Sequence, residues 1–177
     1  MKKVYYQLII IIVKFIKKSN VGKHNRLLTT HIYKSEIGNY NYIGPGVIIN
    51  NAIISNFCSI AAYTQIGGME HDFNKLSTST SLNPGKKSNK VQIADDVWIG
   101  AAVYLKNGVK IGKGAVIGAG SIVLEDIPPY AIAVGSPAKI IKYRFDKVKR
   151  DVHFKVDFKS NIKTLNSINE NFNSRWR

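Results

Sequence analysis

A chain of 177 residues, 45% of them hydrophobic, suffices for one domain with a real core and excludes wholesale disorder. Lys and Arg number 26 against 11 acids, and the net charge of +15 suits an anionic partner as readily as it suits a plain lysine-rich protein. The single cysteine, Cys58, excludes an internal disulfide framework and fits a reducing compartment, so a cytoplasmic location is expected.

The chain opens with an apolar run over residues 4–16, interrupted by Lys14. A spanning helix needs ~20 apolar residues, so this run is too short to cross a bilayer. Lys17 and Lys18 follow where a signal peptide would place small residues. Two roles fit. The segment packs against the body of the protein, or residues 4–18 make a peripheral contact at the inner face of the membrane. Residues 1–35 are read as this segment and a lead-in.

From Ile37 the pattern changes to a period of six. It is loose at Ile37, Ile43, Ile54, Ile60 and Ile66, with one five-residue step near Ile48. It is strict at Ile93, Ile99, Leu105, Ile111, Ile117 and Val123. Four places after each of the first five of these stands a small or β-branched residue: Val97, Val103, Val109, Ala115, Ser121. A helix would repeat at three and four, and a half-buried strand at two. One large and one small inward side chain per six residues describes a short strand and a tight corner, three of which close one coil. The expected body is a parallel β-helix over 36–136. Cys58 occupies a small inward slot, which makes it core filler. Ala101 and Ala119 stand three units apart, so they stack at one corner and leave a smooth groove with backbone within reach of an extended ligand.

The period breaks over 67–92, a polar stretch expected to leave the coil as a loop. His71 stands at its root. Gly85-Lys86-Lys87-Ser88 lacks the spacing and the strand-to-helix setting of a phosphate loop. Past Val123, Pro128 and Pro129 end the winding. A helix starting near Pro137 would put Lys139 and Lys142 on one face, as phosphate contacts or as a solvated basic surface. Residues 137–177 are read as this helix and a loosely ordered basic tail.

The segments 96–102, 108–121, 126–131 and 135–139 resemble the hexapeptide-repeat acetyltransferases, in particular the xenobiotic and polysaccharide O-acetyltransferase branches. The likeness is dense over 91–145, moderate over 36–72 and absent at both ends. It implies a left-handed winding, a homotrimer, and acetyl-CoA as co-substrate in clefts between subunits. His71 resembles the catalytic histidine of that family, Ala101 and Ala119 the backbone contacts of the pantetheine arm, and Lys139 and Lys142 the basic positions near the 3′-phosphoadenosine. Leu124-Glu125 departs from the pair usual near the cofactor. The activity implied is O-acetylation of a sugar or small alcohol in surface polysaccharide modification, with His71 deprotonating the acceptor hydroxyl. Glu70, Asp72 or a backbone carbonyl would orient the ring.

Other readings of the same residues are an amino-sugar N-acetyltransferase, an antibiotic acetyltransferase and a non-catalytic β-helix used for assembly. Zinc needs about three clustered ligands, and one histidine in the coil region does not supply them, so no metal is expected. No base-reading motif accompanies the positive charge, so nucleic acid is not expected as a partner.

Overall fold

A computed structural model describes residues 19–28, 30–83, 85, 88–160 and 162–175. The segment 4–18, and the membrane contact expected of it, lie outside them. The six-residue period is one side of a three-sided parallel β-helix. Its first coil is β1 (Asn20–Val21), β2 (Arg26–Leu27) and β3 (His31–Tyr33). The second is β4 (Glu36–Ile37), β5 (Tyr42–Ile43) and β6 (Ile48–Asn50), and the third is β7 (Ala52–Ile54), β8 (Ser59–Ile60) and β9 (Gln65–Ile66). After the loop come β10 (Val91–Ile93), β11 (Trp98–Ile99) and β12 (Tyr104–Leu105), then β13 (Lys110–Ile111), β14 (Val116–Ile117) and β15 (Ile122–Val123). The first strands of the coils form side one, the second strands side two and the third strands side three, each in parallel register.

The register places the periodic aliphatics directly over one another, as in Ile43, Ile60, Ile99 and Ile117 on side two. All are fully buried, and each contributes about 1.5–3 kcal/mol of burial free energy. The small residues between them, Val97, Val103 and Ala115 among them, close the remaining space. Among the described residues the winding is already present from Asn20, a full coil before the expected start at residue 36. The early inward residues Val21, Leu27, Ile32 and Ile37 are spaced six, five and five apart, and Asn25 fills a small slot, which hides the repeat. Asn25 Oδ1 accepts from the backbone N–H of Asn41, and Asn41 Oδ1 accepts from that of Cys58, both at 2.7 Å. An inward amide is tolerated there because it stands in for the backbone groups of the corner.

The corner between sides one and two holds non-glycine residues in left-handed backbone: His24, Tyr40, Phe57, Asp96 and Tyr130, with φ between 57° and 64°. Each such residue costs about 1–2 kcal/mol. Ring stacking at 4.8 Å from His24 to Tyr40 and again from Tyr40 to Phe57 offsets part of it.

The C-terminal region differs from expectation. Lys139–Tyr143 is not a helix but a strand, β17, which runs antiparallel to β16 (Ala131–Val134) at the end of side two. Its Lys-Ile-Ile-Lys-Tyr sequence suits a strand, and β16 offers an unpaired edge to bond with. A bulge absorbs Ile141, so Lys139 and Lys142 pair with Val134 and Ile132. These partners are two apart, hence on one face of the sheet. The two lysines therefore share a side, by a strand with a bulge and not by a helical turn. Helices follow later: α1 (Lys147–Phe154), whose first turn is capped by Asp146, and α2 (Ile162–Arg175), where a loose tail was expected. Among the described residues, no helix is long and apolar enough to cross a membrane, and no group of three His, Cys, Asp or Glu side chains is placed to hold a metal ion.

Candidate active site

The loop leaves side three after β9 and returns on side one at β10. Its root is clamped by a residue that the sequence did not single out. Asn107, on the corner one coil further on, accepts from the Gly68 N–H through Oδ1 at 3.1 Å and donates from Nδ2 to the Gly68 carbonyl at 2.5 Å. Gly67 sits between, at φ +66°, and a Cβ there would lie 2.3 Å from the Asn50 carbonyl oxygen. The returning limb is held by Asn51 Nδ2, which donates to the Ser88 carbonyl at 3.2 Å.

His71 is exposed, three residues beyond this clamp. Its Nδ1 lies 2.5 Å from the carbonyl oxygen of Thr78. A carbonyl only accepts, so Nδ1 donates to it, and in the neutral ring the lone pair is on Nε2. Of the three orienting groups considered, the backbone carbonyl is the one in contact. The two carboxylates are engaged elsewhere: Glu70 meets Asn107 Nδ2 at 3.4 Å, and Asp72 accepts from the Asn74 N–H at 3.0 Å.

Ala101 and Ala119 stack as expected, at the corner between sides two and three. The Gly120 N–H donates to the Ala101 carbonyl at 2.8 Å, and the Ala102 N–H donates to that of Ala62 at 2.9 Å. Pro45, Ala62, Ala101 and Ala119 thus form one column of small corner residues. Gly135 extends it, because Ala133 pairs with Ile117 one strand earlier. Lys139, opposite Val134, stands at the end of this column, and Lys142 lies further along the same strand. The structure therefore brings Ala101, Ala119 and Lys139 to one corner. His71 belongs to the next corner, with the whole of side three between.

A second polar cluster joins the C-terminal arm to the coil. Asp96 Oδ2 accepts from Arg144 Nη1 at 2.7 Å and from His153 Nε2 at 3.1 Å, and His153 Nδ1 lies 3.1 Å from the Tyr130 hydroxyl. Burial works against the Asp96 charge, yet the His153 hydrogen bond and Arg144 outweigh it and hold the carboxyl below its usual range. Burial, with Asp96 nearby, pushes the Tyr130 hydroxyl up to about 12. Cys58 is buried and burial pushes its thiol up to about 12, so it is unsuited to act as a nucleophile. Lys113 Nζ donates to the carbonyls of Phe154 and Val156 at 2.9 and 2.7 Å, closing the end of α1.

The comparisons with known proteins agree with this architecture. Residues 90–125 match the family model for the bacterial transferase hexapeptide (six repeats). The chain is 38% identical over 112 residues to a chloramphenicol acetyltransferase of Klebsiella aerogenes, across 55% of this chain and 53% of that protein. It is 47% identical over 68 residues to a 2,3,4,5-tetrahydropyridine-2,6-dicarboxylate N-acetyltransferase of Clostridium perfringens, across 38% of this chain and 28% of the relative. The match thus spans about half of the first relative and less of the second. Among solved structures, the hexapeptide-repeat containing acetyltransferase VCA0836 of Vibrio cholerae superposes with a TM-score of 0.64 at 27% identity, across 72% of this chain and 74% of that one. AntD, an N-acyltransferase of Bacillus cereus solved with dTDP and 3-hydroxybutyryl-CoA, gives 0.66 at 28% identity, across 84% and 81%. Residues 90–125 thus match the bacterial transferase hexapeptide model, and in sequence and fold the chain is similar to hexapeptide-repeat acetyltransferases.

Proposed function

We propose that this protein is an acetyl-CoA-dependent acyltransferase that acetylates a hydroxyl of a sugar or small alcohol in surface polysaccharide modification. The observation that carries the reading is the His71 ring, whose Nδ1 is tied to the Thr78 carbonyl and whose Nε2 is left to take a proton. A thioester is already activated, so the chemical task is deprotonation of the acceptor as it attacks. The acceptor oxygen bonds to the acetyl carbonyl carbon while its proton passes to Nε2. The carbon–sulfur bond then breaks, and the CoA thiolate recovers the proton from the imidazolium. No acyl-enzyme forms. The small corner column through Ala101 and Ala119 gives the pantetheine arm a path, and Lys139 and Lys142 meet the phosphates at its end.

The working unit in this reading is a homotrimer. His71 and the alanine column of one chain lie at different corners, so a neighbouring copy completes each site. The loop has the surface for such a contact: Phe73 and Leu82 are 81% and 76% exposed, and Leu76 is fully so. Side three adds exposed Ile48 and Ile122. The work is assigned to the cytoplasm.

The test is CoA release by the purified protein against nucleotide sugars, oligosaccharides, amino sugars and antibiotics. His71→Ala should lower kcat by ~10²–10⁴-fold with CoA affinity nearly intact; near-normal turnover would refute the assignment. A second reading, N-acylation of an amino sugar, is favoured by the likeness to AntD, an N-acyltransferase. Turnover confined to amino sugars in the same screen would select it.

A further inference from the structure

We infer that Asp96 is a positioning residue for cofactor recognition: it anchors Arg144 and His153, and so fixes the strand that presents Lys139 and Lys142. This rests on the reading of those two lysines as phosphate contacts.

Beside this tie, β17 has the Ala138 N–H bonded to the Ile122 carbonyl at its entry, at 2.8 Å, and the Arg150 guanidinium over the Tyr143 ring, 4.9 Å from its centre. All five of its residues are exposed, and its ladder runs only to β16, with a bulge at the centre. An exposed edge strand with one neighbour and an irregular register frays readily. Its far end is secured differently. The Arg144 N–H, immediately after the strand, donates to the Tyr130 carbonyl at 2.8 Å, and its guanidinium reaches back to Asp96 at 2.7 Å. Asp96 is well placed to serve as anchor, because it belongs to the corner of the fourth coil and its own N–H donates to the Asn56 carbonyl at 3.0 Å. The same oxygen of Asp96 takes the bond from His153, so α1 is moored at the same point. One carboxylate on the rigid coil therefore sets where the arm lies. A phosphate held by two lysine ammoniums is sensitive to such placement, since an angstrom of drift lengthens both charge-assisted hydrogen bonds.

The test compares CoA with 3′-dephospho-CoA by calorimetry on wild type, Lys139→Gln/Lys142→Gln, Asp96→Asn and Arg144→Met. Arg144→Met cuts the same tie from a partly exposed side, and serves if Asp96→Asn fails to fold. Wild type should prefer CoA, and the double lysine variant should lose that preference. Asp96→Asn and Arg144→Met should weaken CoA by roughly tenfold, the effect of giving up one charge-assisted hydrogen bond to the phosphate. Both should bind 3′-dephospho-CoA as wild type does, a discrimination that general damage to the fold would not produce. If both tie variants keep the full preference for CoA while the lysine variant loses it, the positioning role is wrong and the lysine reading stands. If wild type shows no preference at all, the lysine reading fails and the inference falls with it.

Discussion

Two glycines of one corner, in neighbouring columns, give a sharp test of the coil geometry. A Cβ added at Gly100 would lie 2.5 Å from the Ala119 nitrogen, 2.8 Å from the Ala119 Cα and 3.0 Å from the Gly118 carbonyl carbon. All three are backbone atoms, so no side chain can swing aside. Reaching ordinary contact at 3.4 Å requires the two coils to separate by about 0.9 Å here. That movement also stretches the bond from the Gly100 N–H to the Ile117 carbonyl, now 2.8 Å. Overpacking and a weakened hydrogen bond together make Gly100→Ala destabilising by about 2–4 kcal/mol. Gly120→Ala is different. Nothing lies within 4 Å of its Cβ position, and only its φ of +70° opposes the change. The cost is that of left-handed backbone, about 1–2 kcal/mol, and Ala102, in register one coil earlier, already bears it at φ 54°. Urea unfolding followed by circular dichroism, with the slope unchanged, measures both. A Gly100→Ala variant as stable as wild type, or a Gly120→Ala variant that costs more, would refute the packing described at this corner.

Other consequences are as direct. Asn107→Ala removes both bonds to Gly68, a local loss of about 1–2 kcal/mol, so limited proteolysis within 69–90 should accelerate while the global unfolding midpoint moves little; an unchanged cleavage rate would dismiss the clamp. Cys58 should resist thiol reagents at pH 8 in the native protein and react at once in urea, because burial pushes its thiol up to about 12; fast native labelling would contradict its inward position. The Asp96 carboxyl is held low in the folded state, so its contribution is present above the unfolded carboxylate value of ~3.9 and lost as pH falls through the folded value. The stability gap between wild type and Asp96→Asn should be about 2 kcal/mol at pH 7 and should narrow progressively as pH falls below ~3.9. A gap of constant size would remove the ion pair from the account.

The coil was legible because its cause is local and repeated. One aliphatic and one small residue per six leave the chain no other way to bury both, so residues from Ile93 to Val123 declare strands, corners and register together. The stacking of Ala101 on Ala119 follows by counting. The first coil was not legible, because Asn25 replaces the small apolar residue and satisfies backbone groups of Gly38 and Asn41 only once the next coil exists. Nor was β17: Pro137 and the spacing of two lysines fit a helix equally well until the bare edge of β16 is there to pair with. The orientation of His71 depends on the carbonyl of Thr78, seven residues away around a loop, while the carboxylates beside it in sequence turn elsewhere. Asp96 and His153, 57 positions apart, meet because α1 folds back onto the fourth coil. Short-range periodicity therefore determined the scaffold, whereas the hydrogen bonds that aim the histidine and anchor the arm exist only between segments that winding brings together.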